Sequence, residues 1–565
     1  MSRRPKVKWP MPDERTGADA FIEQIIEAGV RVVFGNPGTT EAPFLGRLGK
    51  YPEIRFIVAL HEAVAVCAAE GYARASGEIG VVQLHAGAGL GNGMGMLYNA
   101  AEGCTPMLVY VGQLEQSGLY LEPTLSGDLV ALSHPIAKWA HEVRTAEEIP
   151  QVVRRAMKVA MTPPCGPVIL SIPMDLMEAP CAAPIAATSW VPTAVRPDRK
   201  AVEEAATVIA RADAPVLLAG DGVAQAGALD ELSALARLIG APIHGAFMTE
   251  TCIHPDEPLN AGRLPSIDGV AAASVLAPYD CAVAVGTKVL TNVFPLPGLP
   301  LGDRDVVHIG LDTWELAKSQ PSTVVFGDER ESLQELTEVL TGRLAAGQVD
   351  NEARRVRVES EIEDARRRAI DADQSRWAEM PMSPERAVAE LAALVPEDVC
   401  LIDESITAYG AVSRYFRFEP GRWYRLRGGG IGAGMALPIG VQLADPSVKV
   451  VALVGDGSSL YTITALWTAA HHGLPITWVI LNNRSYRVLK ENARRGSDST
   501  EAAERLVGVN LTEPDIDFVS VAEGFGVEAH RLTGPDDIQR YFSAAMAADH
   551  PVLLDVSISD ALTTR

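Results

Sequence analysis

Asp456 and Asn483 are the pair whose side-chain types and spacing most directly suggest chemistry. Asp456 lies in Gly455-Asp456-Gly457-Ser458, immediately after the apolar run 450–454, and Asn482-Asn483 follows the apolar run 476–481. Each run is too short for a helix and reads as a buried strand. Between them Leu460, Ile463, Leu466, Trp467 and Ala470 recur at helical spacing, and Gly473-Leu474-Pro475 stops that helix. A strand–helix–strand unit of this size makes parallel neighbours, so both strands end at one sheet edge, where open α/β sheets bind ligands. Two oxygen-bearing side chains at that edge suit a hard cation such as Mg2+, which keeps water and ligand phosphates in its remaining positions. Gly457 and Ser458 lead into a helix N-terminus, a ready place for the anion such a metal carries.

The elements that must position this pair belong to a long chain. At 565 residues it exceeds a single core and fits three or four domains. A hydrophobic content of 47%, a charged content of 21% and a net charge of −23 describe a globular protein and argue against nucleic-acid or membrane-surface binding. No apolar run reaches membrane-spanning length, and the basic start Met1-Ser2-Arg3-Arg4 lacks the apolar core of a signal peptide. Seven scattered cysteines without a Cys-x-x-Cys pair read as buried thiols in a reducing compartment, so the expected location is cytoplasmic.

Three α/β units follow one another. The first, 1–190, alternates helices with apolar strands at 30–34, 79–84, 107–111 and 167–172; the Pro/Ala-rich passage 180–197 reads as a linker. The second, 198–345, carries strands near 215–220, 281–286 and 306–310. The charged stretch 351–376, within a linker at 346–382, predicts a solvated connecting helix. The third unit, 383–565, opens on the helix-start signal Ser383-Pro384 and holds Asp456. The expected architecture is three serial doubly wound parallel sheets.

The Gly-Asp-Gly and Asn-Asn pattern resembles that of thiamine-diphosphate enzymes, and the three units resemble the pyrimidine-binding, central and diphosphate-binding domains of the decarboxylase/acetolactate-synthase branch. The resemblance implies a cofactor, thiamine diphosphate, whose C2 ylid adds to a carbonyl and stores the resulting carbanion. It places Glu62, in Leu60-His61-Glu62, on the pyrimidine ring as the acid that activates the cofactor. It makes Ile431, in Gly429-Gly430-Ile431-Gly432, the wedge between the cofactor rings, with the Gly429 carbonyl accepting from the pyrimidine amino group. Ser405 and Thr407 fall where hydroxyls meet the diphosphate, Gln113 resembles a residue close to the cofactor, and Ser485 completes the metal ligands through its hydroxyl or its carbonyl. Pro37, Gly38, Gly455, Gly457, Ser458 and Tyr486 complete the implied cofactor-binding set.

Three runs are similar to benzoylformate decarboxylases: Phe34-Gly35-Asn36-Pro37-Gly38-Thr39-Thr40-Glu41, Leu84-His85-Ala86-Gly87, and the segment 459–470. In that family the residue at Thr39 is a Ser that holds the substrate carboxylate, and the residue at His85 is an active-site His suited to proton transfer. The expected function is Mg2+-dependent decarboxylation of a 2-oxo acid. There are departures. The central-domain stretch 286–295 has no second His, which leaves acetolactate-synthase-like carboligation to an aldehyde or keto acceptor open, with a non-catalytic cofactor-binding paralogue as a further alternative. Arg425, Arg427 and Arg487, with Leu489, lie beside the implied pocket, where they either favour an anionic substrate or pair with acids at a subunit interface. No clear flavin motif is present, Ala219-Gly220-Asp221-Gly222-Val223 being a strand-end turn. Because the resemblance puts the two ends of the cofactor on different chains, a homodimer is the expected minimum and a homotetramer the expected assembly.

Overall fold

The computed structural model describes residues 15–562, apart from 247, 266–268, 290–293, 295–297, 300, 319, 345–350 and 497–504. It contains three six-stranded sheets in chain order. Strands β1 (Val32–Gly35), β2 (Arg55–Val58), β3 (Gly80–His85), β4 (Met107–Gln113), β5 (Trp139–Glu142) and β6 (Pro167–Pro173) form the first, ordered β2-β1-β3-β4-β6-β5. The central sheet, β12-β11-β10-β7-β8-β9, uses β7 (Pro215–Ala219), β8 (Ile243–Gly245), β9 (Asn260–Arg263), β10 (Cys281–Val285), β11 (Asp305–Gly310) and β12 (Thr323–Phe326). The third, β14-β13-β15-β16-β18-β17, uses β13 (Cys400–Glu404), β14 (Trp423–Arg425), β15 (Val450–Gly455), β16 (Ile476–Asn482), β17 (Glu528–Leu532) and β18 (Val552–Ser557). Neighbouring strands are parallel within each sheet, as in β15 against β16, where Val450 pairs Ile476 and Gly455 pairs Leu481. Central strands such as β4 and β6 are buried along their whole length, which is why they appear as unbroken apolar runs.

In each sheet the winding reverses at an inner pair of strands, between β1 and β3, between β7 and β10, and between β13 and β15. A crevice opens beyond the carboxyl ends of the strands at such a reversal. Two of the three reversals hold the residues singled out above.

One sequence-based expectation needs correction. In place of a single helix through Leu460 and Ala470, a short helix at Asp456–Ser459 is followed by turns and then by the helix Ala465–His472. The break coincides with a long-range tie: the Thr462 hydroxyl donates to the Gly432 carbonyl, 30 positions earlier. Gly473, in the left-handed region, ends the second piece as expected. The charged stretch is one helix, Asn351–Gln374, but it is tied at both ends and is not merely solvated. Arg354 donates to the carbonyls of Ile239 and Asp213, while Asp373 pairs with Arg414. The seven cysteines are free thiols; five are buried, and Cys104 and Cys165 are half-buried.

The first and third domains share one hydrophobic core, built around the helices Glu62–Ser76 and Ala433–Ala444. They approach so closely that a Cβ on Gly71 would stand 2.3 Å from the Leu437 carbonyl oxygen, and one on Gly440 would stand 1.9 Å from that of Ala68. A mid-helix glycine costs about 1 kcal/mol relative to alanine. Each aliphatic side chain buried in this contact, among them Val64, Leu437 and Val441, contributes about 1.5–3 kcal/mol, so packing decides.

Arg74, at the far end of the first helix, joins all three domains. Its guanidinium bonds Glu70 at 2.9 Å, Glu250 of the central domain at 2.8 Å and the Arg425 carbonyl at 2.7 Å, and lies over the Tyr424 ring.

Gly440→Val should force the two helices apart and lower Tm by at least about 5 °C, the scale set by overpacking of a tight contact. Gly46→Ala, which meets nothing within 4 Å, should leave Tm within about 1 °C of the parent in the same calorimetric scan.

Candidate active site

The reversal between β13 and β15 gathers a set of buried oxygens. Asp456, at the end of β15, accepts from the Gly457 amide at 2.8 Å and from the Ser485 amide at 3.2 Å. Burial nonetheless pushes its carboxyl up to about 6, against those amides. Beside it, the Asn483 Oδ1 and Ser485 Oγ atoms are buried and have no hydrogen-bond partner. Buried polar atoms are ordinarily satisfied, so a carboxylate with two orphaned oxygens is a donor set that fits a hard cation. Gly457 must lack a side chain here, because a Cβ would stand 2.3 Å from the Tyr486 ring that lies over it. Gly455 caps the short helix, and Ser458, its third residue, is buried. Ser405 is buried and donates to Asp403 at 2.6 Å, and Thr407 is half-buried beyond it.

Glu404 had no role in the sequence reading. Its carboxylate, 1% exposed, accepts from the Gly432 and Gly434 amides and from the Ser458 hydroxyl, which links β13 to the loop around Ile431. The available signal was an acid pair closing an apolar strand, Cys400-Leu401-Ile402-Asp403-Glu404. Gly429 adopts φ +88 and Ile431 is half-buried against the shared core.

The reversal between β1 and β3 carries the second group. His85 ends β3, and its Nδ1 lies 3.0 Å from Glu41 Oε2 and 3.1 Å from Thr40 Oγ1. The Thr40 hydroxyl in turn donates to Glu41 Oε1 at 2.6 Å. Glu41 is fully buried, and burial holds its carboxyl above the usual carboxylate range despite these partners. A proton on His85 Nδ1 satisfies the carboxylate, which leaves Nε2 free to exchange a proton outward. Gly38 is bare because a Cβ would stand 2.1 Å from the His85 ring. Pro37 and Thr39 are exposed on this turn, so the hydroxyl that reaches His85 is that of Thr40. Gln113, buried at the end of β4, donates to the Gly127 carbonyl at 2.9 Å.

Glu62 opens its helix, with His61 as cap, and is 8% exposed. Its Oε2 accepts from Asn92 Nδ2 at 3.1 Å, and a Cβ on Gly89 would stand 2.9 Å from its Oε1.

The three arginines pair with acids, one of the two alternatives the sequence left open, and Arg427 also lines the central cavity described below. Arg425 pairs with Asp403 at 3.6 Å and stacks on Tyr409; Arg427 pairs with Asp221 and donates to the Met248 carbonyl; Arg487 pairs with Glu491 at 3.1 Å. All three are buried and face acids of their own chain, while Leu489 is exposed. The stretch 286–295, noted for its missing His, falls partly outside the described residues.

The third reversal, between β7 and β10, opens into a cavity of about 410 Å³ that reaches Gly428 and Gly429. Lys288 in it is paired with Glu102 at 2.6 Å and Arg427 with Asp221, which leaves Asp312, Asp328 and Glu329 without cationic partners among the described residues lining it. Burial pushes the Glu329 carboxyl up to about 7.

Comparison with known proteins agrees with this geometry. Residues 15–131 match the thiamine pyrophosphate enzyme N-terminal TPP binding domain, 202–336 the central domain and 406–556 the C-terminal TPP binding domain. The chain is 33% identical over 551 residues to benzoylformate decarboxylase of Pseudomonas aeruginosa, covering 96% of this chain and 98% of the relative. It is 28% identical to the acetolactate synthase of Mycobacterium bovis, covering 96% and 87%. The solved structure of the thiamine diphosphate-dependent 4-hydroxybenzoylformate decarboxylase of Rhodococcus jostii RHA1 superposes with a TM-score of 0.84 at 27% identity, covering 96% and 99%. With three matching domains in order and full-length relatives, the chain belongs to the thiamine pyrophosphate enzymes.

Proposed function

We propose that this enzyme is a thiamine-diphosphate- and Mg2+-dependent decarboxylase of a 2-oxo acid, of the benzoylformate decarboxylase type. The observation that carries this reading is the buried Asp456 carboxylate beside the orphaned Asn483 and Ser485 oxygens. Asp456, Asn483 and Ser485 would hold the metal, and the turn Gly455–Ser458 with Ser405 and Thr407 would receive the diphosphate. Thiamine diphosphate, when bound, supplies a nucleophilic carbon that adds to the substrate carbonyl and takes up the electrons released with carbon dioxide. Glu62 exchanges a proton with the pyrimidine ring. His85, held by Glu41 through Nδ1, presents Nε2 to deliver a proton to the product, and Thr39 offers its hydroxyl to the substrate carboxylate.

The helix packing supports a homodimer as the active unit. The contacts of Gly71 with Leu437 and of Gly440 with Ala68 make the two helices antiparallel, so Glu62 stands level with the end of the second helix while Ile431 precedes its start. At 1.5 Å per residue these points lie about 20 Å apart, too far for one cofactor to meet both within one chain. A second copy supplies the missing half, and exposed apolar side chains surround both halves: Leu60 and Tyr98 on the first domain, Tyr461 and Leu489 on the third. Assembly to a tetramer fits the same reading. The acid-rich lining of the central cavity speaks against a dinucleotide, whose diphosphate would meet Asp312, Asp328 and Glu329 with no unpaired Lys or Arg among the described residues lining it.

The carboligase reading retains one specific support, the absence of a His from the sequence 286–295. Product analysis separates the two. With thiamine diphosphate and Mg2+, benzoylformate or a short aliphatic 2-oxo acid should release carbon dioxide and free aldehyde; acyloin as the main product with added aldehyde favours carboligation. No carbon dioxide from any of them would falsify the decarboxylase.

Glu62→Gln should slow exchange of the cofactor C2 proton at least about 100-fold while the cofactor still binds, read by quenched-flow NMR. Asp456→Ala should abolish the Mg2+-dependent rise in Tm that the cofactor gives the parent, and chelation of the parent should reproduce that loss. A rise that survives the substitution overturns the metal assignment.

A further inference from the structure

We propose that Asn99 and Glu404 are positioning residues that fix Ile431 from opposite sides and thereby impose the bent shape of the bound cofactor. The inference rests on the cofactor reading above and adds two residues to it. The loop that carries Ile431 is conformationally loose by composition: Gly428, Gly429 and Gly432 adopt φ values of +63, +88 and +109, in the left-handed region. Such a segment has many accessible states and nothing in its own sequence to select one. Selection comes from outside it. On one side, Asn99 Nδ2 donates to the Gly430 carbonyl at 2.6 Å and Asn99 Oδ1 accepts from the Gly430 amide at 2.9 Å. On the other, the two oxygens of Glu404 accept from the Gly432 and Gly434 amides, and the Thr462 hydroxyl closes the Gly432 carbonyl.

The clamps come from different domains. Asn99 lies on the helix Ala86–Glu102 of the first, Glu404 at the end of β13 in the third, and both are buried. Neither has slack. A Cβ on Gly430 would stand 2.9 Å from Asn99 Oδ1, and one on Gly434 would stand 2.8 Å from Glu404 Oε2. Ile431 is the residue between them, so displacing its backbone means breaking one clamp or the other. Glu404 also takes the otherwise unpaired amides at the start of the helix Ala433–Ala444, a task that a carboxylate at a helix N-terminus performs well.

A wedge sets the relation between the two cofactor rings and leaves the diphosphate end untouched. Calorimetric titration of the full-length apo-protein with thiamine diphosphate, and separately with inorganic pyrophosphate, both with Mg2+, therefore separates positioning from general damage. Asn99→Ala should weaken thiamine diphosphate at least about tenfold and leave pyrophosphate within about twofold of the parent. Asn99→Asp, which loses the donor to the Gly430 carbonyl, should show the same selective weakening, and Glu404→Gln, whose carboxylate also accepts from the Ser458 hydroxyl, should weaken thiamine diphosphate at least about tenfold. Equal weakening of both ligands by the Asn99 variants, or unchanged thiamine diphosphate affinity, overturns the proposal. A parent that binds pyrophosphate but not thiamine diphosphate overturns the functional reading instead.

Discussion

Two bare glycines set the plan of this molecule. Because Gly71 and Gly440 let the helices Glu62–Ser76 and Ala433–Ala444 touch backbone to backbone, the first and third sheets share one core and face away from each other along an antiparallel axis. The same contact that joins the domains separates their functional edges. Glu62 and the Ile431 loop end up at opposite ends of the helix pair, and it is this separation that the homodimer proposed above would bridge.

Each functional group then sits at a cost that its neighbours offset in part. Asp456 is buried enough that its carboxyl titrates well above the usual range, and the atoms beside it lack partners altogether. A divalent cation would remove both penalties at once. Glu41 is buried as deeply, and its compensation is internal, from the Thr40 hydroxyl and the His85 ring. One acid is left needing an external partner and the other is complete, a difference that suits the metal-holding and base-orienting roles proposed for them.

Much of this was legible in the sequence because the signals are local. Fully buried parallel strands appear as short apolar runs, so β4, β6, β15 and β16 could be read within a residue or two, as could Asp456 and Asn483 at their ends. The failures are pairings between distant segments. Nothing in Arg427 announces Asp221, 206 positions away, or in Asn99 announces Gly430. The sequence left open whether Arg425, Arg427 and Arg487 meet a substrate or pair with acids; side-chain direction, which sequence does not specify, brings them to Asp403, Asp221 and Glu491. The break in the helix expected through Tyr461 likewise coincides with a distant pairing, that of Thr462 with a carbonyl 30 positions earlier. Thr40 and Glu41 stood in a quoted run, but only the fold shows their contact with His85.

Arg74 has a consequence for anyone who would recombine this scaffold with its relatives. A single guanidinium satisfies acids from two domains and a carbonyl from the third. Grafting in a foreign middle module that lacks a counterpart to Glu250 leaves that buried cation with Glu70 and the Arg425 carbonyl alone, a loss that no surface optimisation of the new joints repairs. Chimaeras should therefore be cut so that the donor of residue 250 travels with its guanidinium, which makes the inherited unit larger than any one of the three sheets.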